Sequence, residues 1–328
     1  AVKSYEKAIA IKPDFAEAHN NLGISLHKLD QLDEAFKCCE KAIAIKPDFA
    51  EAHNNLGNVL KALGQLDAAV KSYKNVLAIK PDFAEAHNNL GIALMDLGQH
   101  DDAVKSYKQA LAIKPDFADA HNTLGVALKN LGQLKASIKS FKKALVIKPD
   151  YVEAHNNLGM TLIDLGQLDE ALISCSHAIT LKPDFEYMFG TILNTKMKLC
   201  LWDDLAKQLD ELTNKINNGE KAIVPFSMLG LNDDPELLRK VAEIHANHKC
   251  PQSHVLSKIE RYPKHKKIRI GYFSADFRNH PVALLTAELY EIHDRNQFEI
   301  YAFSFGPYTD DEMHLRIKAG VDHFHDVR

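Results

Sequence analysis

Residues 50–82 read AEAHNNLGNVLKALGQLDAAVKSYKNVLAIKPD, and this stretch decides the fold. Ala52, Leu56, Leu60 and Leu63 recur at helical spacing and make the apolar stripe of one helix. Gly64-Gln65 follows at the place where a C-cap glycine is wanted. Val70, Tyr73, Leu77 and the neighbouring alanines mark a second helix. Pro81 ends it, because proline donates no backbone hydrogen bond and disfavours helical geometry at Lys80 before it. Gly57 stands inside the first helix, where glycine costs about 1 kcal/mol relative to alanine, so a close helix-helix approach is expected there.

Outward from this unit the pattern repeats. Lys-Pro-Asp begins at Lys12, Lys46, Lys80, Lys114, Lys148 and Lys182, each 34 residues after the last, and [ED]-A-H-N-[NT]-L-G follows five of them in one register. Five of the 17 histidines, His19, His53, His87, His121 and His155, therefore belong to the repeat. A strict 34-residue helix-turn-helix period with Leu-Gly early, Ala late and Pro at the end resembles the tetratricopeptide repeat. Helix pairs are predicted from near Ala16, Ala50, Ala84, Ala118 and Val152, with the chain opening inside a second helix at Ala1. A degenerate capping pair is predicted near Glu186, where Leu193 replaces the signature glycine and Leu201-Trp202-Asp203-Asp204 takes the register of Gln31-Leu32-Asp33-Glu34.

Such a solenoid offers a concave groove lined by first helices, suited to an extended or helical peptide. Asn20, Asn54, Asn88, Asn122 and Asn156 are each followed by a second polar residue, Asn21, Asn55, Asn89, Thr123 and Asn157. Asparagine is a mediocre helix former carrying both a donor and an acceptor, the two functions that grip a peptide backbone without reading its side chains. The alternative is that recent duplication copied solvated asparagines. Neighbouring helix positions point about 100° apart, so the two members of a pair cannot face the groove equally.

Composition narrows the function classes. The chain has 328 residues, 46% apolar and 26% charged, with a net charge of −4, which disfavours a polybasic nucleic-acid binder and a disordered acidic tail. No uncharged apolar run approaches the ~18 residues of a membrane span, and neither a signal peptide nor a transit peptide is visible, so a cytoplasmic protein without membrane or nucleic-acid partners is expected. Cys38, Cys39, Cys175, Cys200 and Cys250 show no C-x-x-C and no histidine at metal-ligand spacing. Buried thiols and no metal are expected.

After Lys215 the period is lost. Asn217-Asn218-Gly219 leads to Val224-Pro225-Phe226-Ser227-Met228-Leu229, a helix is predicted from Pro235 to about His248, and a spacer rich in Pro, Lys and His covers 262–267. Strand-like runs at 268–273, 298–303 and 321–325 then alternate with helical runs at 282–292 and 310–319. Alternating strand and helix implies a parallel sheet with crossover helices, too short here to cover both faces, so the chain is expected to stop inside a domain.

Residues 267–281, KIRIGYFSADFRNHP, resemble the opening of the catalytic region of the O-linked N-acetylglucosaminyltransferase family, which includes Spindly-type fucosyltransferases and bacterial relatives. Pro225-Phe226-Ser227-Met228-Leu229, Asp233-Asp234-Pro235 and Trp202-Asp203 resemble the family's segment between repeats and catalysis. The resemblance implies two Rossmann-like (GT-B type) halves and transfer of a sugar from a nucleotide sugar, UDP-N-acetylglucosamine foremost, to protein Ser or Thr. It also selects the second asparagine of each pair, Asn21, Asn55, Asn89 and Asn157, as the peptide-binding set. The expected architecture is thus a tetratricopeptide superhelix over residues 1–184, a degenerate capping repeat over 185–216, a helical linker over 217–266 and the first part of an α/β Rossmann-like domain over 267–328. No G-x-G-x-x-G or P-loop pattern is present, so the donor site is expected to lie outside this chain.

His280 is the leading candidate for chemistry. It follows an apolar strand and precedes Pro281, which places it near a helix N-cap at the carboxyl end of a parallel strand, where ligands gather. A positive helix end disfavours imidazolium and leaves a neutral ring. The resemblance puts the matching histidine in the active site as base or binding residue; a purely capping histidine is the alternative. Asp276 either orients it or caps the turn, and the turn is favoured. His323 and His325 alternate on a strand but lack a third ligand, and they are read, with His293 and His314, as solvated or core histidines. An interaction scaffold without activity remains the rival to a glycosyltransferase that recruits acceptor proteins in its groove.

Overall fold

The helices of the repeat stop for a local reason. Gly64 adopts φ +73°, its N–H donates to the Lys61 carbonyl at 3.0 Å, and the Gln65 N–H reaches back to Leu60 at 2.9 Å. This pair of bonds satisfies carbonyls that the helix end would leave orphaned. Gly98, Gly132 and Gly166 repeat the conformation, but the first pair uses Asp30 at φ 60° and the degenerate unit uses Cys200 at φ 56°. Between pairs, the Lys-Pro-Asp turn lays each lysine over the next aromatic ring, Lys46 over Phe49 at 5.1 Å and Lys148 over Tyr151 at 4.7 Å.

The structure, a computed structural model, describes residues 1–250, 265–307 and 309–327. A lone second helix α1 (Val2–Ile11) precedes five pairs: α2 (Ala16–Lys28) with α3 (Leu32–Ile45), α4 (Ala50–Ala62) with α5 (Leu66–Ile79), α6 (Ala84–Asp96) with α7 (His100–Ile113), α8 (Ala118–Asn130) with α9 (Leu134–Ile147), and α10 (Val152–Asp164) with α11 (Leu168–Leu181). Consecutive first helices touch, α2 with α4 and α8 with α10 for example, whereas consecutive second helices make no comparable contact. The array therefore curves toward its first helices, which form the inner surface.

The mid-helix glycines do what their cost implied. A Cβ on Gly57 would lie 2.5 Å from the Tyr73 ring, one on Gly91 2.5 Å from Tyr107, and one on Gly125 2.5 Å from Phe141. These three rings are fully or almost fully buried, and Leu60, Tyr73, Leu90, Leu94, Tyr107, Leu124 and Leu128 form one core running through successive repeats. In the outer pairs the ring is replaced by Cys39 against Gly23 and Cys175 against Gly159. Both thiols are buried, and burial pushes Cys39 up to about 12 and Cys175 up to about 11. The expectation of buried thiols fails for Cys200 and Cys250, which are exposed.

The sixth unit departs from the register. Its helices are α12 (Met188–Lys198) and α13 (Leu205–Asn217), and the second begins at Leu205 where the repeat register calls for Trp202, because Asp204 takes φ 56° at the helix entry and Trp202 stays outside, 54% exposed. Leu193, at the glycine register, is buried with Leu212, Ile216, Met228 and Val241. The close backbone approach shifts to Gly190, which packs on Ile223. A short α14 (Pro225–Met228) and α15 (Pro235–Lys249), capped by the Asp234 carboxylate on the Glu236 N–H, complete this cluster. The spacer reading at 262–264 falls outside the described residues.

A second unit, Ser253–Arg328, is built separately. Three parallel strands, β1 (Ile268–Ser274), β2 (Phe298–Ser304) and β3 (His323–Asp326), lie in the order β1-β2-β3, joined by α16 (Pro281–Ile292) and α17 (Glu312–Ala319). Parallel neighbours need such crossovers. Tyr272, Ala302 and Phe324 meet Ala283, Ala287, Tyr290, Met313 and Ile317 of the helices on one face. On the other, Phe273 stacks on Phe303 at 4.5 Å and Tyr301 on His323 at 4.4 Å.

Candidate functional site

The paired amides of the first helices bond to one another across repeats. Asn55 Nδ2 donates to Asn20 Oδ1 at 2.8 Å, Asn89 Nδ2 to Asn54 Oδ1 at 3.1 Å, the Thr123 hydroxyl to Asn88 Oδ1 at 2.9 Å, and Asn157 Nδ2 to Asn122 Oδ1 at 3.0 Å. Asn20, Asn88 and Asn122 are buried, while Asn21, Asn55, Asn89 and Asn157 are half-buried. The two members of a pair are thus not alternatives for one task. The first accepts from the following repeat, and the second donates to the preceding one and lies nearer the surface.

Around this ladder the inner face carries further groups. The Tyr73 hydroxyl, pushed up by burial and then by the Asp96 charge, donates to Asn58 Oδ1 at 2.7 Å. Lys129 and Asp164 pair at 3.0 Å, again from one first helix to the next. Ile24, Ile92, Val126 and Met160 stand at one repeat position beside the amides, which Asn58 takes in the second pair, so a mainly apolar stripe interrupted at Asn58 runs beside the ladder. The repeat histidines have a different task. His19, His53, His87, His121 and His155 each bring Nε2 to the carbonyl of the proline six residues earlier, at 2.8–3.0 Å, and clamp the Lys-Pro-Asp turn onto the first helix. The fixed Pro-to-His spacing was the sequence signal for this clamp.

His280 is the N-cap of α16, and its Nδ1 accepts from the Val282 N–H at 3.3 Å. In the neutral ring this bond takes the Nδ1 lone pair, so the proton sits on Nε2 and that edge is a hydrogen-bond donor. Asp276 Oδ2 lies 3.7 Å from Nδ1, while its Oδ1 meets Arg278 Nη2 at 3.4 Å and its backbone N–H donates to Ser274 Oγ at 3.0 Å. Asp276 therefore serves the turn and stands within reach of an imidazolium. Beneath the loop, buried His314 brings Nδ1 to the Phe277 carbonyl at 2.9 Å.

His293 bonds the Tyr272 hydroxyl at 2.7 Å, and His323 Nε2 lies 3.1 Å from Glu299. Bonds from His323 and Arg269 hold the Glu299 carboxyl down at about 2. Among the described residues no group of His, Cys, Asp or Glu is arranged to hold a metal ion, and no helix is long and apolar enough to cross a membrane.

One cluster was not foreseen. Tyr187, at φ 61°, donates its backbone N–H to the Lys221 carbonyl, and its hydroxyl lies 2.8 Å from His248 Nδ1. His248 Nε2 stands 3.4 Å from Glu186, which is paired with Lys221 at 2.6 Å. No local pattern announces a tyrosine in the left-handed region, where aromatic residues are outliers. The readable signal was that Gly190, not asparagine, occupies the register of Asn20 in the sixth unit.

The helical array is that of a tetratricopeptide-repeat protein. Repeat models described as TPR repeat match residues 1–30, 57–98, 93–132 and 128–166, and single tetratricopeptide repeats match 16–49, 38–71 and 152–185. Among solved structures, Pseudomonas aeruginosa PilF superposes with a TM-score of 0.56 at 17% identity, covering 61% of this chain and 90% of its own. The APC/C hetero-tetramer Cut9–Hcn1 gives 0.56 at 16% identity, over 73% of this chain and 44% of its own. Both show the repeat fold alone.

Residues 231–328 match Glycosyl transferase family 41. A probable UDP-N-acetylglucosamine–peptide N-acetylglucosaminyltransferase, SEC, of Arabidopsis thaliana is 30% identical over 152 residues, which cover 42% of this chain and 16% of that protein. The chain thus spans a small part of the curated relative it matches. Tetratricopeptide repeats followed by the start of a family 41 catalytic region make this an O-linked N-acetylglucosaminyltransferase-like chain.

Proposed function

We propose that this chain carries the acceptor-recruiting array and the first catalytic segment of a protein glycosyltransferase that moves N-acetylglucosamine from its uridine diphosphate to Ser or Thr. The carrying observation is that an inter-repeat amide ladder precedes, in one chain, a segment matching family 41. The three parallel strands with their crossover helices support reading that segment as the start of a Rossmann-like, GT-B type half. The ladder supports extended acceptor peptide as the groove's occupant. Each second-member asparagine spends one Nδ2–H on its neighbour, and the other N–H and the Oδ1 of these half-buried residues are offered to a peptide backbone.

At the carboxyl end of β1, His280 is set to donate through Nε2 to an acceptor oxygen or a sugar hydroxyl. The nucleotide sugar would be bound with residues that this chain does not identify. The test is transfer by the complete enzyme from labelled UDP-N-acetylglucosamine to a Ser/Thr peptide library. Label on peptide supports the reading. Transfer from guanosine diphosphate fucose instead corrects the donor, and transfer from no nucleotide sugar leaves the interaction scaffold.

A further inference from the structure

The ladder donates in one direction, from each repeat to the one before it, so it must end on an acceptor. Asn156 is that end. Its Nδ2 turns to Asn157 Oδ1 at 3.4 Å, and Asn157 Nδ2 continues to Asn122. The residue that would donate to Asn156 Oδ1, by the register that joins Asn55 to Asn20, is Thr191. Thr191 spends its hydroxyl on the Tyr187 carbonyl at 3.0 Å instead. Every earlier first member of a pair, Asn20, Asn54, Asn88 and Asn122, has its Oδ1 taken.

The reason lies in the spacing of the helices. α10 and α12 do not make the contact seen between earlier first helices, and between them opens a cavity of about 400 Å3. Its lining includes Asn156, Met160 and Ile163 from α10, Tyr187 and Thr191 at the start of α12 and Val224 from the segment beyond, and takes in the charged Glu186 and Lys198 as well. That volume is within the range of small-ligand sites. Tyr187 forms a wall that is fixed at both ends, by its backbone bond to Lys221 and its hydroxyl bond to His248, in a conformation that costs energy to hold.

We propose that this cavity is a side-chain pocket at the end of the amide ladder, taking one apolar residue of an extended peptide whose backbone N–H donates to Asn156 Oδ1. The inference rests on the reading of the groove as a peptide site and adds to it a position with sequence preference. Ladder amides would grip any backbone, whereas a mainly apolar pocket beside an unmatched acceptor selects a residue. Met160, Ile163 and Val224 supply the apolar contact, and the free acceptor explains why the occupant is a peptide and not a hydrocarbon.

The experiment measures, by fluorescence anisotropy on the full chain, four capped dodecapeptides of glycine and serine. They differ at residue six only, which is leucine, alanine, aspartate or N-methyl leucine. The leucine peptide is expected to bind about tenfold tighter than the alanine peptide, and N-methylation to weaken it about fivefold. Asn156→Ala removes the effect of N-methylation, and Val224→Phe or Met160→Phe removes the preference for leucine. A leucine peptide bound no better than alanine, or an aspartate peptide bound best, overturns the pocket while the ladder stands. Absence of binding by all four peptides overturns pocket and groove together. If the filled variants melt early, the N-methyl effect measured with and without Asn156→Ala still decides.

Discussion

Asn89 donates to Asn54 Oδ1 at 3.1 Å across two consecutive first helices, 35 residues apart in a chain whose period is 34. The single residue of offset explains why the amides come in adjacent pairs. An acceptor at one register needs a donor one position later in the next repeat, and a lone asparagine per repeat would not close the bond.

The ladder is therefore expected to contribute to stability as well as to the proposed binding. Asn89→Ala is expected to lower stability by about 1 kcal/mol, the net worth of one such bond, and to weaken peptide binding. Asn89→Thr should keep the stability, because Thr123 already fills this position and its hydroxyl reaches Asn88 at 2.9 Å. Thermal melts of the two variants check this. Equal loss in both would mean that a threonine hydroxyl cannot replace the amide at this position, and no loss in either that the inter-repeat bond contributes nothing to stability.

Two glycines of one helix pair fail for different reasons. Gly91→Ala places a Cβ 2.5 Å from the Tyr107 ring and is expected to cost about 1–3 kcal/mol through overpacking. Gly98→Ala meets nothing within 4 Å but must hold φ +73°, which costs about 1–2 kcal/mol. Gly98→Asp is the milder change, since Asp30 holds φ 60° at the corresponding turn. Denaturant unfolding separates the cases: Tyr107→Leu should relieve Gly91→Ala and leave Gly98→Ala unchanged.

The solenoid was legible because its rules are local and repeated. Leu60 and Tyr73 lie on stripes of period 3.6, Gly64 and Pro81 mark the ends, and six copies confirm the register. The strands at 268–274 and 298–304 were legible as apolar or alternating runs. What sequence reasoning did not reach depends on distant partners. Whether Asn20 or Asn21 faced outward hinged on a bond made to the next repeat, and the entry of α13 at Leu205 followed from the left-handed turn at Asp204. Tyr187 and His248 stand 61 residues apart with no period to link them.

Buried His121 ties the array to pH. Burial pushes its pKa below the ordinary 6.5, against the opposing bond to the Pro115 carbonyl, and nearby Lys143 pushes the same way as burial. The unfolded chain binds a proton more readily than the folded one, so stability is full above about pH 6.5 and falls as pH drops from there toward the folded value. Melting temperature measured from pH 8 to pH 5 should decline on the acid side, and His121→Gln, which can still donate to Pro115, should flatten part of the decline. An unchanged slope in that variant would assign the acid sensitivity to other groups.

His280 holds two tasks on two nitrogens, and this separates them by substitution. Nδ1 caps α16 through the Val282 N–H, while in the neutral ring Nε2 carries the proton and is a donor. In the complete enzyme His280→Ala removes both, costing about 1 kcal/mol of stability for the cap together with any catalytic contribution. His280→Asn restores the cap, since asparagine is a strong N-cap residue, but carries no imidazole. The melting temperature of His280→Asn is therefore expected to return to that of the native enzyme while kcat stays low, by about 10²–10³-fold if the lost Nε2–H stabilises charge that develops in the transition state. A binding role alone would raise the acceptor KM and leave kcat near its native value, because the lost contact is equally strong in ground and transition states. Steady-state kinetics beside thermal melts of both variants distinguish these outcomes. Recovery of both melting temperature and kcat in His280→Asn would reduce His280 to a helix cap.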